Sequence, residues 1–506
     1  MSGFFYELDI IKTYFCVLNN ILIYDMKLMK SYEEQLSQQV EQRRMTVELI
    51  KVISDLWYEN NIELFLFRNQ LIDRNVSEIL NLLDYSKEFV QKPISMAYML
   101  KIAQKIMKMD LPPSKIDIGK LTYVLHLTAE KDVDSFVEDK LSGAKNGNGF
   151  KPKDVVLYGF GRIGRLLARE LMSRTGKGVQ MRLRAIVTRG EITKEVLEKR
   201  ASMLRKDSVH GYFKGSVKVD FEQKALIING TTVFVISANQ PEDPDYLSYG
   251  INDALIIDNT GAFRSEEDLS RHLEAKGVDK VLLTAPGIGN VPNIVYGVNQ
   301  NNFNPDEHRI FSAASCTTNA ITPVLKVIND TLGVKHGHIE TIHAYTNDQN
   351  LVDNMHDKYR RGRAAALNMV ITETGAGKAV SKAVPELAGK LTSNAIRVPV
   401  PNGSLAILNL NLQSKTTRED LNALVKKFAL EGNLVEQIRY SMSNELVSSD
   451  IVGTLEPAIF DSHATIVSKE GDHAILYVWY DNEYGYSHQV MGLAKYISKV
   501  RRFAYY

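Results

Sequence analysis

Residues 155–165 read Val155-Val156-Leu157-Tyr158-Gly159-Phe160-Gly161-Arg162-Ile163-Gly164-Arg165. Four apolar residues make a short buried strand, three glycines follow at GxGxxG spacing, and Leu166, Leu167 and Leu171 then recur as on a helix. A strand handed to a helix through such a loop is the dinucleotide fingerprint. Gly159 makes the tight turn, Gly161 lets the backbone approach a pyrophosphate, and Gly164 lets the helix pack on the strand. The pyrophosphate rests on the helix N-terminus, so Arg162 and Ile163 join the glycines as cofactor contacts.

Outward from this loop, strand-like runs recur at residues 183–187, 232–236, 254–257 and 280–283. Helical segments or hairpins separate them, which implies an α/β fold with a mainly parallel, doubly wound Rossmann-type sheet. Asn259-Thr260-Gly261 and Thr284-Ala285-Pro286 end two of the strands. Ligands of such sheets bind outside the carboxyl ends of strands, which makes Thr260 and Thr284 cofactor candidates. Arg309-Ile310-Phe311 is the next strand-like run, and Ser315-Cys316-Thr317-Thr318-Asn319 leads into Ile321, Val324, Leu325 and Ile328 at helical spacing. Cys316 therefore opens a helix, where unpaired N–H groups and the dipole favour a thiolate. His343 closes an alternating run 27 residues later, as general base and acid for that thiol. His336, His338 and His343 lack the further Cys or carboxylate of a zinc set, so no metal is expected. Thr374-Gly375-Ala376-Gly377-Lys378-Ala379 is not a P-loop, because Ala379 stands where the metal-binding hydroxyl belongs.

Gly159 to Arg165, Asp207-Ser208-Val209-His210-Gly211, SCTTN at 315–319 and Ile342-His343-Ala344-Tyr345-Thr346-Asn347-Asp348-Gln349 together resemble the phosphorylating glyceraldehyde-3-phosphate dehydrogenases. The resemblance runs from Val155 to Tyr496. It implies oxidation of a triose phosphate with NAD(P) and inorganic phosphate, through a thioester on Cys316, in glycolysis or gluconeogenesis. Thr346, Asp348 and Arg397 match the substrate-phosphate site, with Arg361 adding charge. Ser315, Thr317, Thr374 and Gly375 match the site for attacking phosphate. Asn482 matches the residue that holds the nicotinamide carboxamide, and a homotetramer is implied. Residues 151–315 then form the cofactor domain, completed by a C-terminal helix at 485–506. Residues 316–484 form an α+β catalytic domain with a mostly antiparallel sheet. Ala320, Gly377, Gly403 and Tyr484 depart from the commoner family residues. Two rivals remain: an erythrose-4-phosphate dehydrogenase, which hydrolyses its thioester, and a non-catalytic NAD(P)-binding regulator. Thr346, Thr374 and Gly375 favour phosphorolysis, and Cys316, His343 and Arg397 together favour an enzyme.

The cofactor choice leans to NADP. NAD-preferring folds place a carboxylate about 20 residues beyond the glycines, on the ribose 2′-OH. Here the second strand runs into Thr188-Arg189-Gly190, a hydroxyl and a guanidinium fit for a 2′-phosphate. Asn354-Met355 stands where NAD-specific relatives commonly carry an apolar Leu-Pro pair.

Residues 1–150 lie outside the resemblance and read as an all-helical extension. Leu36, Val40, Val47, Ile50, Ile53 and Trp57 form one apolar helical face, and Ser95 caps a second helix carrying Met99, Ile102 and Ile106. Ser142 to Gly149 is a linker by composition. At the N-terminus, residues 13–24 carry no charge, but this run is shorter than the roughly 20 residues a membrane helix needs. Met26 and Met29 precede the first polar helix, so the leader reads as an over-extended reading frame.

Composition sets outer bounds. The 506 residues hold 61 Lys plus Arg against 60 Asp plus Glu, a balance that excludes a basic nucleic-acid or anionic-membrane surface. Cys16 and Cys316, the two cysteines, imply no disulfide framework and suit a reducing cytoplasm.

Overall fold

The computed structural model describes residues 31–90, 92, 94–128, 132–146 and 150–506. The leader, Cys16 and the last three residues of the Ser142–Gly149 linker lie outside these residues. The described chain divides into two compact units, residues 31–111 with 115–145, and residues 112–114 with 146–506. No described helix is long and apolar enough to cross a membrane.

The first unit corrects the all-helical expectation, because it is mixed α/β. Its helices are Tyr32–Asp55, Val76–Val90, Met96–Lys108, Ile118–Leu127 and Val133–Lys140. Among them the strand Glu63–Leu66 pairs antiparallel with Asn69–Gln70 and parallel with Ser114–Asp117. All four residues of Glu63–Leu66 are buried, so the strand shows no alternation by which a sequence pattern could reveal it. Its hairpin turn also lacks the usual glycine: Phe67 and Arg68 take positive φ of 41° and 73°. The Asp117 carboxylate holds that turn, accepting both N–H groups at 3.0 and 2.8 Å. Ser95 caps the Met96–Lys108 helix as read. Leu36, Val40 and Val47 are exposed, however; of the expected face Ile53 and Trp57 are buried, and Leu49 and Val52 join them. The linker reading also stops short, since Ser142–Asn146 forms a 3₁₀ turn with Ala144 fully buried.

In the second unit an eight-stranded sheet is ordered Ile310–Ser312, Val278–Leu283, Ala254–Asp258, Lys153–Tyr158, Met181–Thr188, Thr231–Ser237, Ala225–Ile228, Val217–Asp220. The first six are mutually parallel and the last two turn antiparallel. Lys153–Tyr158 is central, and its residues face alternate layers. Val155 and Leu157 join one core with Leu167 and Leu171, whereas Val156 and Tyr158 join another with Ile256 and Tyr246. Each such side chain buried contributes about 1.5–3 kcal/mol. The C-terminal helix Tyr484–Ile497 packs its Val490, Leu493 and Ile497 into the first of these cores.

A second sheet is ordered Val370–Thr372, Leu391–Val398, Val334–Ala344, Ser404–Leu412, His473–Tyr480, Ala458–Asp461, Ile438–Ser441 and is mostly antiparallel. The helix Cys316–Leu332 packs on one face of it, sharing a core with Leu408, Leu476 and Val478. Cys316 touches the cores of both sheets and so stands at their seam.

Candidate active site

The glycine loop fits a dinucleotide on its own geometry. Gly159 has φ +99°, which L side chains rarely adopt. A Cβ on Gly164 would meet Asn259 Oδ1 at 2.4 Å and the Gly159 carbonyl at 2.6 Å, so only glycine permits this helix–strand approach. A Cβ on Gly161 would meet nothing within 4 Å, which leaves room for a diphosphate at the N-cap of the helix Arg162–Ser173. Arg162 itself is committed elsewhere. Its guanidinium pairs with Glu483 and with Asp207, the latter at 3.1 and 3.2 Å. Against burial, the N–H groups of His210 and Val209 and the Arg162 guanidinium hold the Asp207 carboxyl well below the usual range. Only the Arg162 backbone remains for a ligand, while Ile163 packs against the core.

Thr260 stands beside this loop, and its N–H and hydroxyl both donate to Asp258 Oδ1, at 2.8 and 2.7 Å. Thr284 N–H donates to the Asp258 carbonyl at 2.9 Å, so one residue anchors both strand-end candidates. Thr188 ends the strand Met181–Thr188 with its Oγ1 buried and unpartnered. Arg189 follows it, exposed, with no ion pair among the described residues.

The nucleophile's turn is built from short polar bonds. Ser315 caps the helix, its Oγ accepting the Thr318 N–H at 3.1 Å. Asn319 Nδ2 donates to the carbonyls of Ala313 at 2.7 Å and Ser315 at 2.9 Å. Ala314, just before them, takes φ +55°, a strained value for a residue with a Cβ. The Tyr486 hydroxyl donates to the Ala314 carbonyl at 2.8 Å.

This turn sets Cys316 Sγ 3.6 Å from His343 Nε2. His343 Nδ1 lies 2.7 Å from the Ala344 carbonyl, and Arg397 Nη1 lies 2.6 Å from Nδ1 and 3.0 Å from that same carbonyl. A proton on Nδ1 serves the Ala344 carbonyl and turns the Nε2 lone pair towards sulfur; a proton on Nε2 leaves Nδ1 to accept from Arg397 Nη1, which can only donate. Burial first, and the Arg397 charge next, push the imidazole down to about 3, so it is neutral at neutral pH. Burial pushes the Cys316 thiol up, and the Arg397 guanidinium with the Thr317 hydroxyl and N–H opposes it. The expected thiolate at a helix N-terminus is therefore not the resting form, since burial outweighs the donors around sulfur. The pair rests as thiol and neutral imidazole.

Arg397 Nε is buried without a partner, a donor pointing at nothing in the protein. Arg361 is near enough for its charge to act on both His343 and Arg397. Asp348 forms an ion pair with Arg361, and Thr372 Oγ1 accepts from Arg361 Nε at 3.0 Å. Asp348 thus orients a cation and presents no donor of its own. Thr317 turns its hydroxyl inward, 3.0 Å from Tyr480 OH, and Ser315 Oγ lies 2.7 Å from Thr318 Oγ1. Thr374 Oγ1 accepts the Ala376 N–H at 3.2 Å, and Gly375 is the exposed N-cap of the helix Ala376–Ala383. No hydrogen bond ties Thr346, Thr374 or Gly375 to Cys316 or His343 among the described residues. Asn482 is buried, its Oδ1 accepting from the Ser404 hydroxyl at 2.7 Å. Tyr480 and Ser404 escaped the sequence reading. Their one signal is a hydroxyl on the core face of an otherwise apolar strand. No group of three His, Cys, Asp or Glu able to hold a metal ion occurs among the described residues.

Comparison with known proteins completes this picture. Residues 153–266 match the NAD binding domain of glyceraldehyde 3-phosphate dehydrogenase, and residues 315–482 match its C-terminal domain. A glyceraldehyde-3-phosphate dehydrogenase-like protein of Pseudomonas aeruginosa (strain UCBPP-PA14) is 47% identical over 451 residues, covering 88% of this chain and 96% of that protein. Glyceraldehyde-3-phosphate dehydrogenase 1 of Bacillus subtilis (strain 168) is 41% identical over 345 residues, 68% of this chain and 98% of that protein. The glyceraldehyde-3-phosphate dehydrogenase of Priestia megaterium (strain DSM 319 / IMG 1521) is 42% identical over 343 residues, 68% and 97% of the two. The Pseudomonas match is longer than the span from Lys153 to the C-terminus, so it reaches into the first unit.

Proposed function

The chain belongs to the glyceraldehyde-3-phosphate dehydrogenase family, and on that footing we propose that it is a phosphorylating enzyme. It oxidises glyceraldehyde 3-phosphate, with NAD(P) and inorganic phosphate, to 1,3-bisphosphoglycerate, reversibly. The observation that carries this reading is Cys316 Sγ at 3.6 Å from Nε2 of His343.

Cys316 Sγ attacks the aldehyde carbon, and its proton passes to His343 Nε2. The Cys316 N–H, at the helix N-terminus, and the His343 imidazolium donate to the resulting oxyanion, giving a hemithioacetal. The orphaned Nε–H of Arg397, backed by Arg361, takes the substrate phosphate and fixes the aldehyde against sulfur. NAD(P), when bound, supplies the oxidant that turns the hemithioacetal into a thioester. His343 removes the hydroxyl proton in that step. Inorganic phosphate attacks the thioester from the side of Thr374 and Gly375, where the positive end of the helix Ala376–Ala383 opens at an exposed Gly375.

The cofactor is NADP at least as readily as NAD. The unpartnered Thr188 hydroxyl and the free Arg189 guanidinium support this, since both are donors to a 2′-phosphate. The enzyme is a homo-oligomer, a tetramer by family likeness. Ile342, Leu405, Ile407, Tyr477 and Trp479 line the face of the second sheet turned away from its helices and remain only half-buried. Leu351, Val352, Met355, Leu367 and Met369 are exposed on the long segment after His343.

The experiment is reduction of NAD(P) by the full chain with glyceraldehyde 3-phosphate, with and without phosphate or arsenate. Turnover that needs the anion is expected. Turnover of erythrose 4-phosphate at equal rate without it would replace this reading by the hydrolytic one. Dinucleotide binding with no turnover of either would replace it by a regulator.

A further inference from the structure

We propose that Ser404 is a positioning residue that fixes which end of the Asn482 amide faces a bound nicotinamide. The inference rests on the family reading of Asn482 as the carboxamide contact. Ser404 opens the strand Ser404–Leu412 and is fully buried. Its Oγ accepts the N–H of Ala344, the residue after His343, at 3.1 Å. The Ser404 hydroxyl owns one hydrogen, and with the Ala344 N–H on its acceptor side it donates that hydrogen to Asn482 Oδ1 at 2.7 Å. Oδ1 is thereby turned to Ser404, and Nδ2 is the end left to face a carboxamide oxygen.

The backbone around Asn482 is held separately. Asp481 accepts from Asn402 Nδ2 at 2.8 Å and from the N–H groups of Glu483, Tyr484 and Gly453 at 2.8, 2.7 and 2.7 Å. Asp481 thus fixes where the side chain starts, and Ser404 fixes which way its amide points. An amide flipped by 180° has nearly the same shape but offers an acceptor where a donor is needed. Ser404 accepts from the residue after His343, so one hydroxyl joins the strand of the base to the nicotinamide contact.

The test is equilibrium binding to the full chain, comparing NAD(P)H with ADP-ribose or its 2′-phosphate, which lack the nicotinamide. Ser404→Ala should weaken NAD(P)H about tenfold and leave the nicotinamide-free ligand within about twofold. Ser404→Cys, which keeps the shape and weakens the donor, should show the same split at about threefold. If Ser404→Ala does not fold, Ser404→Cys decides alone. Equal weakening of both ligands means a general loosening and overturns the positioning role, as does no weakening of either. A wild type that binds neither ligand overturns the cofactor reading, and the role of Ser404 with it.

Discussion

Buried polar groups behave differently in the two units. In the first, Thr46, Ser86 and Thr122 each give their hydroxyl to a backbone carbonyl within 2.8 Å. Asp117 accepts three backbone N–H groups, from Phe67, Arg68 and Lys120. These groups serve the fold and are spent on it. In the second unit Thr188 Oγ1, Arg397 Nε and both amide atoms of Gln349 are buried with no partner. A buried donor without an acceptor costs about 1–3 kcal/mol. Arg200 Nε, the Tyr246 hydroxyl and the Gln437 amide carry the same cost outside the residues assigned to the site, so an orphaned donor marks a site only where other site residues surround it, as at Arg397.

The sharpest way to break the contrast is at sulfur. Cys316→Ser should lower kcat at least about 10³-fold with the melting temperature unchanged, because the hydroxyl is a far weaker nucleophile. Steady-state rates and a melt on the same preparation check this. His343 gives the next largest effect, and its sign in pH is fixed. The folded imidazole sits at about 3, below its unfolded value of about 6.5, so the unfolded chain binds more protons between them. Its share of stability is present above about pH 6.5 and is lost as pH falls towards 3. Denaturant titrations across that window should show a decline that His343→Gln flattens. Activity should rise with pH through the raised Cys316 thiol and show no acid limb near 6.5.

Arg397→Gln should then lower kcat/KM about 100-fold, mostly through KM for the triose phosphate, because one charge-assisted donor is lost. A change confined to kcat would show that the orphaned guanidinium does not hold the phosphate. Arg189→Asp should shift the NADP to NAD ratio of kcat/KM about tenfold towards NAD. A wild type that already discriminates tenfold against NADP would show that Arg189 does not face the ribose. At the scaffold end, Asp117→Ala should cost about 1–3 kcal/mol of the first unit's stability and leave kcat per folded molecule unchanged. A drop in kcat there would undo the contrast between the units.

Legibility in the sequence follows the same division. The glycine loop was readable because Gly159 and Gly164 answer local backbone demands that no other residue meets. Cys316 and His343 were readable because each ends or begins a long periodic element. The strand Glu63–Leu66 was not, being four residues buried on both faces beside a turn without glycine. Leu36, Val40 and Val47 misled because helical spacing marks a face and not its partner. The lock of Arg162 on Glu483 spans 321 residues, and that of Ser404 on Asn482 spans 78, distances at which no local pattern survives.

The strained turn at Ala314 also has a bearing on how the protein is made. Its carbonyl is held by Tyr486, 172 residues further along the chain. Synthesis runs from the N-terminus, so this clasp emerges well after the turn it holds. Until it closes, nothing holds Ala314 at φ +55° from that side, and the thiol beyond it is not yet aimed at its base. A nascent chain that stops short of Tyr486 therefore carries an ordinary cysteine, and the reactive one waits for that helix.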